Sequence, residues 1–78
     1  MHRYSPEIER SMRSYYETLS EKDRRRYAGI EALKLGRGGV TYIAKVLGIR
    51  RKTVRVGREE VLGLRAIPRN GKEESDSA

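Results

Sequence analysis

Apolar positions in the first quarter of the chain recur at the three- and four-residue spacing of an amphipathic helix. They follow Ser5 and Pro6, a serine that can cap free N–H groups and a proline that suits the first helical turn. The pattern therefore predicts a first helix over residues 6–19. Its apolar stripe consists of Ile8, Met12, Tyr15 or Tyr16, and Leu19.

A second helix is predicted over residues 21–35, because Ser20-Glu21-Lys22-Asp23 has the form of a capping box with Asp in place of Glu. Gly36 can end this helix in the left-handed conformation. The apolar residues fall on two neighbouring stripes, which indicates a central helix in contact with more than one other. The stripes are Tyr27, Ile30 and Leu33, and Ala28, Ala32 and Leu35.

Two further helices are predicted in the second half of the chain. The third begins near Thr41, which is a plausible cap, and Gly48-Ile49 forms a tight turn after it. Residues 51–64 then have a helical pattern apart from Gly57 and Gly63. Each of these glycines costs about 1 kcal/mol relative to alanine inside a helix. We therefore expect the fourth helix to end or bend early.

The chain has 78 residues, of which 36% are hydrophobic, which is enough for one domain with tails. We expect a flexible N-terminus over residues 1–5, an all-α domain of about four helices over residues 6–66, and a polar, disordered tail over residues 67–78. The absence of cysteine excludes disulfides and fits a cytoplasmic setting. Since no apolar run approaches the roughly 18 residues of a membrane span, no membrane partner is expected.

Positive charge is concentrated in one segment of the chain. The formal net charge is +7, and residues 34–58 contain eight cationic side chains without a single Asp or Glu. Such a segment is suited to binding a polyanion. The eight cations are Lys34, Arg37, Lys45, Arg50, Arg51, Lys52, Arg55 and Arg58.

Residues 43–54 have the spacing of a helix-turn-helix. Ala44 is small enough for the second helix of the motif to cross it at close range, and Gly48 can turn the chain with a positive φ. Four apolar residues are predicted to point inward and hold the two helices at a fixed angle. They are Ile43, Leu47, Ile49 and Val54.

This register leaves five residues facing outward where a recognition helix would meet the major groove of DNA. Arg51 and Arg55 are favoured for base readout, because arginine can pair bidentately with guanine. Free amides at the start of the third helix predict a neighbouring phosphate site. The candidates for base readout are Arg50, Arg51, Lys52, Thr53 and Arg55, and those for phosphate contact are Arg37, Gly39, Thr41, Tyr42, Lys45 and Arg58.

Other features favour simpler interpretations. The triplet Arg24-Arg25-Arg26 is interpreted as a solvated helix face, with phosphate contact as the alternative, and the five tyrosines as packing residues in preference to base-stacking platforms. His2 is the only histidine and lies at the terminus, which argues against a catalytic triad or a histidine metal site. The glycines of residues 36–39 lack the Gly-Lys-Ser/Thr of a phosphate loop. The sequence predicts no catalytic residue, metal, cofactor or small-molecule substrate, and hence no enzyme.

A resemblance to a known family is carried by three segments of the chain, residues 19–28, 31–40 and 48–55. They resemble the N-terminal region of ISAzo13-family insertion-sequence transposases. The most specific matches are Leu-Gly-x-Gly-Gly-Val at residues 35–40 and Arg-Lys-Thr-Val-Arg at residues 51–55. The resemblance covers about residues 15–62 and implies a helix-turn-helix that recognises the DNA ends of the element during DNA recombination. The family's catalytic domain, of the DDE type, would lie downstream, and nothing here matches it.

Two functions from different classes remain open at this point. The segregated charge favours sequence-preferring binding of double-stranded DNA by the helix-turn-helix. The alternative is a small helical protein-interaction or dimerisation module, in which the first helix, with Tyr15 and Tyr16, self-associates or holds an acidic partner. The basic face would then aid solubility or bind nucleic acid, including RNA, without specificity.

Overall fold

A computed structural model describes residues 3–66 of the chain, with side chains for residues 3–64. These residues form four α-helices and no strand, so the predicted all-α fold of about four helices is confirmed. His2 and the predicted disordered tail over residues 67–78 lie outside the described residues. The helices are α1 (Pro6–Glu17), α2 (Glu21–Leu35), α3 (Gly39–Leu47) and α4 (Arg51–Ala66).

The first two helices begin at the serines that the sequence singles out. The Ser5 hydroxyl accepts a hydrogen bond from the Ile8 N–H at 3.2 Å, which satisfies one free donor of α1. The Ser20 hydroxyl accepts one from the Asp23 N–H at 3.3 Å at the start of α2. Both caps are confirmed, and α2 has the predicted bounds.

The first helix ends two residues before the predicted bound of residue 19. Thr18 closes it, since its N–H donates to the Tyr15 carbonyl at 3.0 Å and its hydroxyl donates to the same oxygen at 2.7 Å. The chain therefore leaves the helix after Glu17.

The predicted start of the third helix near Thr41 is wrong. The helix begins at Gly39, and its N-cap is Gly38 in the left-handed conformation, with φ 81° and no side-chain cap. Gly39 is packed against α2, and a side-chain carbon there would lie 2.5 Å from the Ala32 carbonyl oxygen. Glycine at this position lets the first turn of α3 rest directly on α2.

The expected early end of the fourth helix is also wrong, because α4 continues to Ala66. Gly57 is buried where α4 crosses α2, and a side chain there would overlap the backbone of Arg25. The close contact between the helices offsets the low helix propensity of this glycine.

The prediction that α2 is central is confirmed, since α2 contacts α1, α3 and α4, and α4 most extensively. Of its two apolar stripes, the one with Ala28 and Ala32 is buried, whereas Ile30 on the other is 45% exposed. Small side chains on the buried stripe let the other helices approach closely. The core consists of Met12, Tyr16, Ala28, Ala32, Tyr42, Ile43, Ala44, Val46, Leu47 and Val54.

Candidate functional site

The turn between α3 and α4 has the geometry that the sequence predicts. Gly48 caps α3 in the left-handed conformation with φ 70°, which confirms its predicted positive φ. The N–H groups of Gly48 and Ile49 both donate to the Ala44 carbonyl, the latter at 3.0 Å. Three of the four residues predicted to point inward are buried, namely Ile43, Leu47 and Val54. The fourth, Ile49, is half-buried and packs against the core.

One flank of α4 forms a groove with the segment that joins α2 to α3. Arg51, Arg55 and Arg58 succeed one another at four- and three-residue spacing, so their side chains lie on the same side of the helix. Arg37 and Thr41 line the groove from the opposite wall, and no acidic residue among residues 3–66 lines it. We call this surface the first groove. It brings together two base-readout candidates and three phosphate candidates from separate parts of the sequence.

A second groove lies on the other flank of α4, against the N-terminal half of α2. Arg50 and Thr53 line it together with Arg24 and Arg25, and Glu21 contributes one carboxylate. Thr53 precedes Arg55 by two residues, which corresponds to about 200° around a helix. The five predicted base-readout residues therefore do not form one cluster, because Arg50 and Thr53 face the second groove.

A crest of exposed residues lies between the two grooves. It consists of Lys52, Val56 and Glu59, which lie on the side of α4 opposite the buried Val54 and Gly57. Lys52 was among the predicted base-readout residues. Val56, which is 39% exposed, and Glu59 were missed. Their positions four and seven residues after Lys52 are the sequence signal that could have found them.

Two of the predicted phosphate contacts do not fit the geometry. Gly39 is buried, and its N–H donates to the Gly36 carbonyl at 2.9 Å. The Tyr42 N–H donates to the Gly38 carbonyl at 3.1 Å, and its side chain is turned towards α1. Both amides already have acceptors within the fold, so we remove Gly39 and Tyr42 from the candidate phosphate site.

The Tyr42 hydroxyl instead connects three parts of the fold. It donates to the Glu9 carboxylate of α1 and accepts from the Tyr4 N–H at 2.9 Å. Burial is the main cause that raises the pKa of Tyr42, and the hydrogen bond to Glu9 raises it further. The interaction makes Tyr42 a structural residue. Among the five tyrosines, Tyr16 and Tyr42 are buried, Tyr4 and Tyr27 are half-buried, and Tyr15 is 55% exposed.

Thr41 and Lys45 remain exposed on the outer side of α3. They are four residues apart and therefore share one face of the helix. Lys45 also lines a depression with Arg3, Arg13 and one carboxylate, that of Glu9. The Arg13 guanidinium donates to the Val46 carbonyl at 3.0 Å near the end of α3. Positive charge thus exceeds negative charge along α3 beyond the first groove. Arg13 was not predicted from sequence, because its position depends on how α1 packs against α3.

Arg24 is a structural residue and does not belong to a solvated face. Its guanidinium donates to the carbonyls of Tyr16 at 3.0 Å and Glu17 at 2.8 Å, the last turn of α1. It also lies 5.3 Å from the centre of the Tyr16 ring. Because the final carbonyls of a helix lack intrahelical donors, Arg24 caps α1 from α2.

Arg25 and Arg26 join α2 to α4 through one carboxylate. Arg25 Nη2 lies 3.0 Å from Glu60 Oε2, and Arg26 Nε lies 3.5 Å from Glu60 Oε1. The hydrogen bond from Arg25 is the main cause that lowers the pKa of Glu60 below its ordinary value. The interpretation of the arginine triplet as a solvated face is therefore wrong. Glu60 was not found from sequence, since its partners are more than thirty residues away.

The described residues contain no group of three or more His, Cys, Asp or Glu side chains placed to hold a metal ion. Within residues 3–66, no helix combines the length and apolar character needed to cross a bilayer. Comparison of the chain with protein-family models, curated proteins and solved structures finds no match. The two grooves and the crest are therefore interpreted from their own geometry.

Proposed function

We propose that this protein binds double-stranded DNA with a sequence preference, using α3 and α4 as a helix-turn-helix. The observation that supports this most directly is the first groove, where three arginines of α4 meet Arg37 and Thr41 and no carboxylate of the described part of the chain joins them. The proposal includes the role implied by the resemblance to ISAzo13-family transposases, which is recognition of the DNA ends of a mobile element. Catalysis is not part of it.

The dimensions of α4 suit this role. A helix with its side chains is about 10–12 Å across, and the major groove of B-DNA is about 12 Å wide. With the crest pointing into the groove, Lys52 faces the base edges, and Arg51 and Arg55 reach them from the flank. Arginine pairs bidentately with guanine, and this supplies the sequence preference.

Residues around the start of α3 would contact the sugar-phosphate backbone. Arg37 and Thr41 lie across the first groove from Arg58, and Lys45 continues the same outer face of α3. Such contacts fix the position of the protein on the duplex and carry no sequence information. In this assignment Arg37, Thr41, Lys45 and Arg58 position α4, and the crest and its neighbours select the site.

Salt dependence of binding tests the proposal. The preferred duplex is first selected from a random pool, and its affinity is measured by fluorescence anisotropy from low to high salt. The logarithm of the binding constant should fall linearly with the logarithm of salt concentration, with a slope of about −0.9 per phosphate neutralised. A flat response, or equal affinity for the selected and scrambled duplexes, would contradict the proposal.

A pair of double variants controls for net charge. Arg51→Ala with Arg55→Ala removes two charges from the first groove, whereas Arg10→Ala with Lys22→Ala removes two exposed charges from α1 and α2. The first double variant should lose most of the affinity for the selected duplex and most of the preference for it over a scrambled duplex. The second should bind nearly as well as the unchanged protein. Equal losses would mean that overall charge, and not the first groove, determines binding.

A second candidate function is protein interaction. Ile8 and Tyr15 on α1 are 49% and 55% exposed, and the Tyr15 ring stacks edge-on against Tyr27 with 5.3 Å between centres. Exposed apolar groups of this kind favour self-association. Sedimentation at micromolar concentration, with and without duplex, separates the two functions. Competition between duplex DNA and structured RNA identifies a preference for RNA.

A further inference from the structure

The contacts proposed so far involve the first groove and leave the second groove without a ligand. We infer that it binds the phosphates of the DNA strand opposite the one held at the first groove. Arg50 and Thr53 then contact backbone phosphates and do not read bases. This inference rests on the proposed DNA-binding function and assigns a ligand, the phosphodiester of the second strand, to a separate surface.

The two flanks of α4 lie where the two strands of a duplex would run. A helix lying in the major groove has one sugar-phosphate backbone on each side of it, because helix and groove are of about the same width. The two flanks of α4 that would face these backbones are the two basic grooves, separated by the crest. A docking that places the crest towards the bases therefore places one strand at each groove.

Two side chains of the second groove, Arg50 and Thr53, can contact a phosphate. Arg50 is exposed and makes no side-chain hydrogen bond within the described residues. Thr53 carries a hydroxyl on the first turn of α4, where the positive end of the helix dipole favours an anion. Both line the second groove, Arg50 exposed and Thr53 half-buried, so both can contact a phosphate oxygen.

Arg24 contributes positive charge to this groove, whereas the charge of Arg25 is offset by its ion pair with Glu60. Both guanidinium groups are already hydrogen-bonded, Arg24 to the end of α1 and Arg25 to Glu60. Arg24 is held in place before any ligand arrives, so its positive potential costs no ordering on binding. The direct contacts are therefore assigned to Arg50 and Thr53.

DNA in which single phosphates are made neutral identifies the backbone positions that the protein contacts. The selected duplex is synthesised with a methylphosphonate, which removes one phosphate charge, at each position of each strand in turn. The unchanged protein should show two groups of sensitive positions, one on each strand. Removing a charge-assisted hydrogen bond should weaken binding by about tenfold at a contacted position.

Variants assign each strand to a groove. In Arg50→Gln and Thr53→Val, sensitivity should fall at one or more positions on one strand and stay unchanged on the other. In Arg58→Ala, which leaves Arg37 and Thr41 in the first groove, sensitivity should fall only on the strand held there. Arg10→Ala should retain both groups unchanged. Circular dichroism melting of each variant checks that the fold is intact. Two independent variants at the second groove keep the test decisive if one of them is destabilised.

Each outcome separates this inference from the proposed function. Sensitivity confined to one strand, or loss of the same positions in Arg50→Gln and Arg58→Ala, overturns the inference and leaves DNA binding intact. A loss of base preference at unchanged phosphate sensitivity in Arg50→Gln also overturns it, because Arg50 would then read bases. Failure of the unchanged protein to bind any duplex overturns both.

Discussion

The α-carbon of Gly57 lies so close to the backbone of Arg25 that a side-chain carbon at Gly57 would overlap the Arg25 carbonyl. The contact is reciprocal, because a side chain at Gly29 of α2 would overlap the backbone of Gly57 and Arg58. Two glycines thus allow α2 and α4 to cross with their backbones in contact. This crossing fixes the position of α4 and with it both basic grooves.

Gly57→Ala should therefore destabilise the fold, although alanine is the better helix former. Overlap with the Arg25 backbone forces α4 away from α2, and we expect a net loss of about 1–3 kcal/mol in the free energy of unfolding. Gly63→Ala is the matched control, since nothing lies within 4 Å of a side chain there. It should stabilise the protein by up to about 1 kcal/mol. Urea unfolding measures both, and a stabilising Gly57→Ala would contradict the crossing geometry.

The turn at Gly48 provides a second test of the helix-turn-helix. Its φ of 70° lies in the left-handed region, which costs an ordinary L-residue about 1–2 kcal/mol. Gly48→Ala should lose stability by that amount, although a side chain there would meet no neighbour. Gly48→Asn should lose less, because asparagine tolerates this conformation. Thermal denaturation that ranks the two variants equally would argue against backbone strain as the cause.

The ion pairs of Glu60 predict that the stability of the fold decreases in acid. The pKa of Glu60 is lowered in the folded protein, chiefly by the hydrogen bond from Arg25, so the unfolded chain binds a proton more readily. The stabilisation is present above the ordinary pKa of the carboxyl and is lost as the pH falls through the lowered pKa. Glu60→Gln should unfold at lower urea concentration at neutral pH and lose less stability on acidification.

Glu59→Gln is the matched control for this prediction. Glu59 is the neighbouring carboxylate on the exposed crest and makes no ion pair with another described residue. Its variant should follow the acid profile of the unchanged protein. If Glu60→Gln and Glu59→Gln gave the same profile, the bond from α2 to Glu60 would not contribute to stability.

The raised pKa of the Tyr42 hydroxyl predicts that the stability of the fold decreases in alkali. Burial and Glu9 raise its pKa in the folded state, so the neutral form is favoured by folding. This stabilisation is complete below the ordinary pKa of about 10 and is lost as the pH rises through the raised pKa. Tyr42→Phe should lose about 1–3 kcal/mol at neutral pH, because Glu9 and the Tyr4 N–H lose their partner. Its stability should also fall less steeply in alkali.

Tyr15→Phe controls for the loss of a hydroxyl. Tyr15 is 55% exposed, and its hydroxyl forms no hydrogen bond to another described residue. Its removal should change the unfolding free energy little. Guanidinium unfolding at neutral and alkaline pH compares the two variants, and equal effects would show that the Tyr42 hydroxyl has no special role.

The parts of the fold that sequence could predict are those set by neighbouring residues. The caps at Ser5 and Ser20 each satisfy a donor three residues ahead. The N–H groups of Gly48 and Ile49 donate to the Ala44 carbonyl, four and five residues earlier in the chain. Such contacts depend on local spacing alone, so the pattern of residues was sufficient to place them.

The errors concern residues whose partners are distant in sequence. The low helix propensity of Gly57 and Gly63 predicted that α4 would end or bend early, but α4 continues to Ala66, and Gly57 is where it contacts the backbone of Arg25. The same crossing places Glu60 between Arg25 and Arg26 and removes both arginines from a solvated face. Helix periodicity alone puts Thr53 and Arg55 on different flanks of α4, about 200° apart. What periodicity does not reveal is that α2 lies beneath α4 and forms a groove with each flank.

The distinction between base readout and phosphate contact can be tested with one pair of substitutions. Arg51 lines the first groove on α4, whereas Lys45 is exposed on the outer face of α3. Arg51→Ala should cost about 1–3 kcal/mol on the preferred duplex and relax its sequence preference, because a base contact is lost. Lys45→Ala should weaken binding to all sequences about equally and lower the salt slope by about one phosphate. Anisotropy titrations against the selected duplex and single-base variants measure both effects. If the two substitutions weakened every duplex to the same extent, α4 would contact only the backbone, and sequence preference would have to come from another part of the protein.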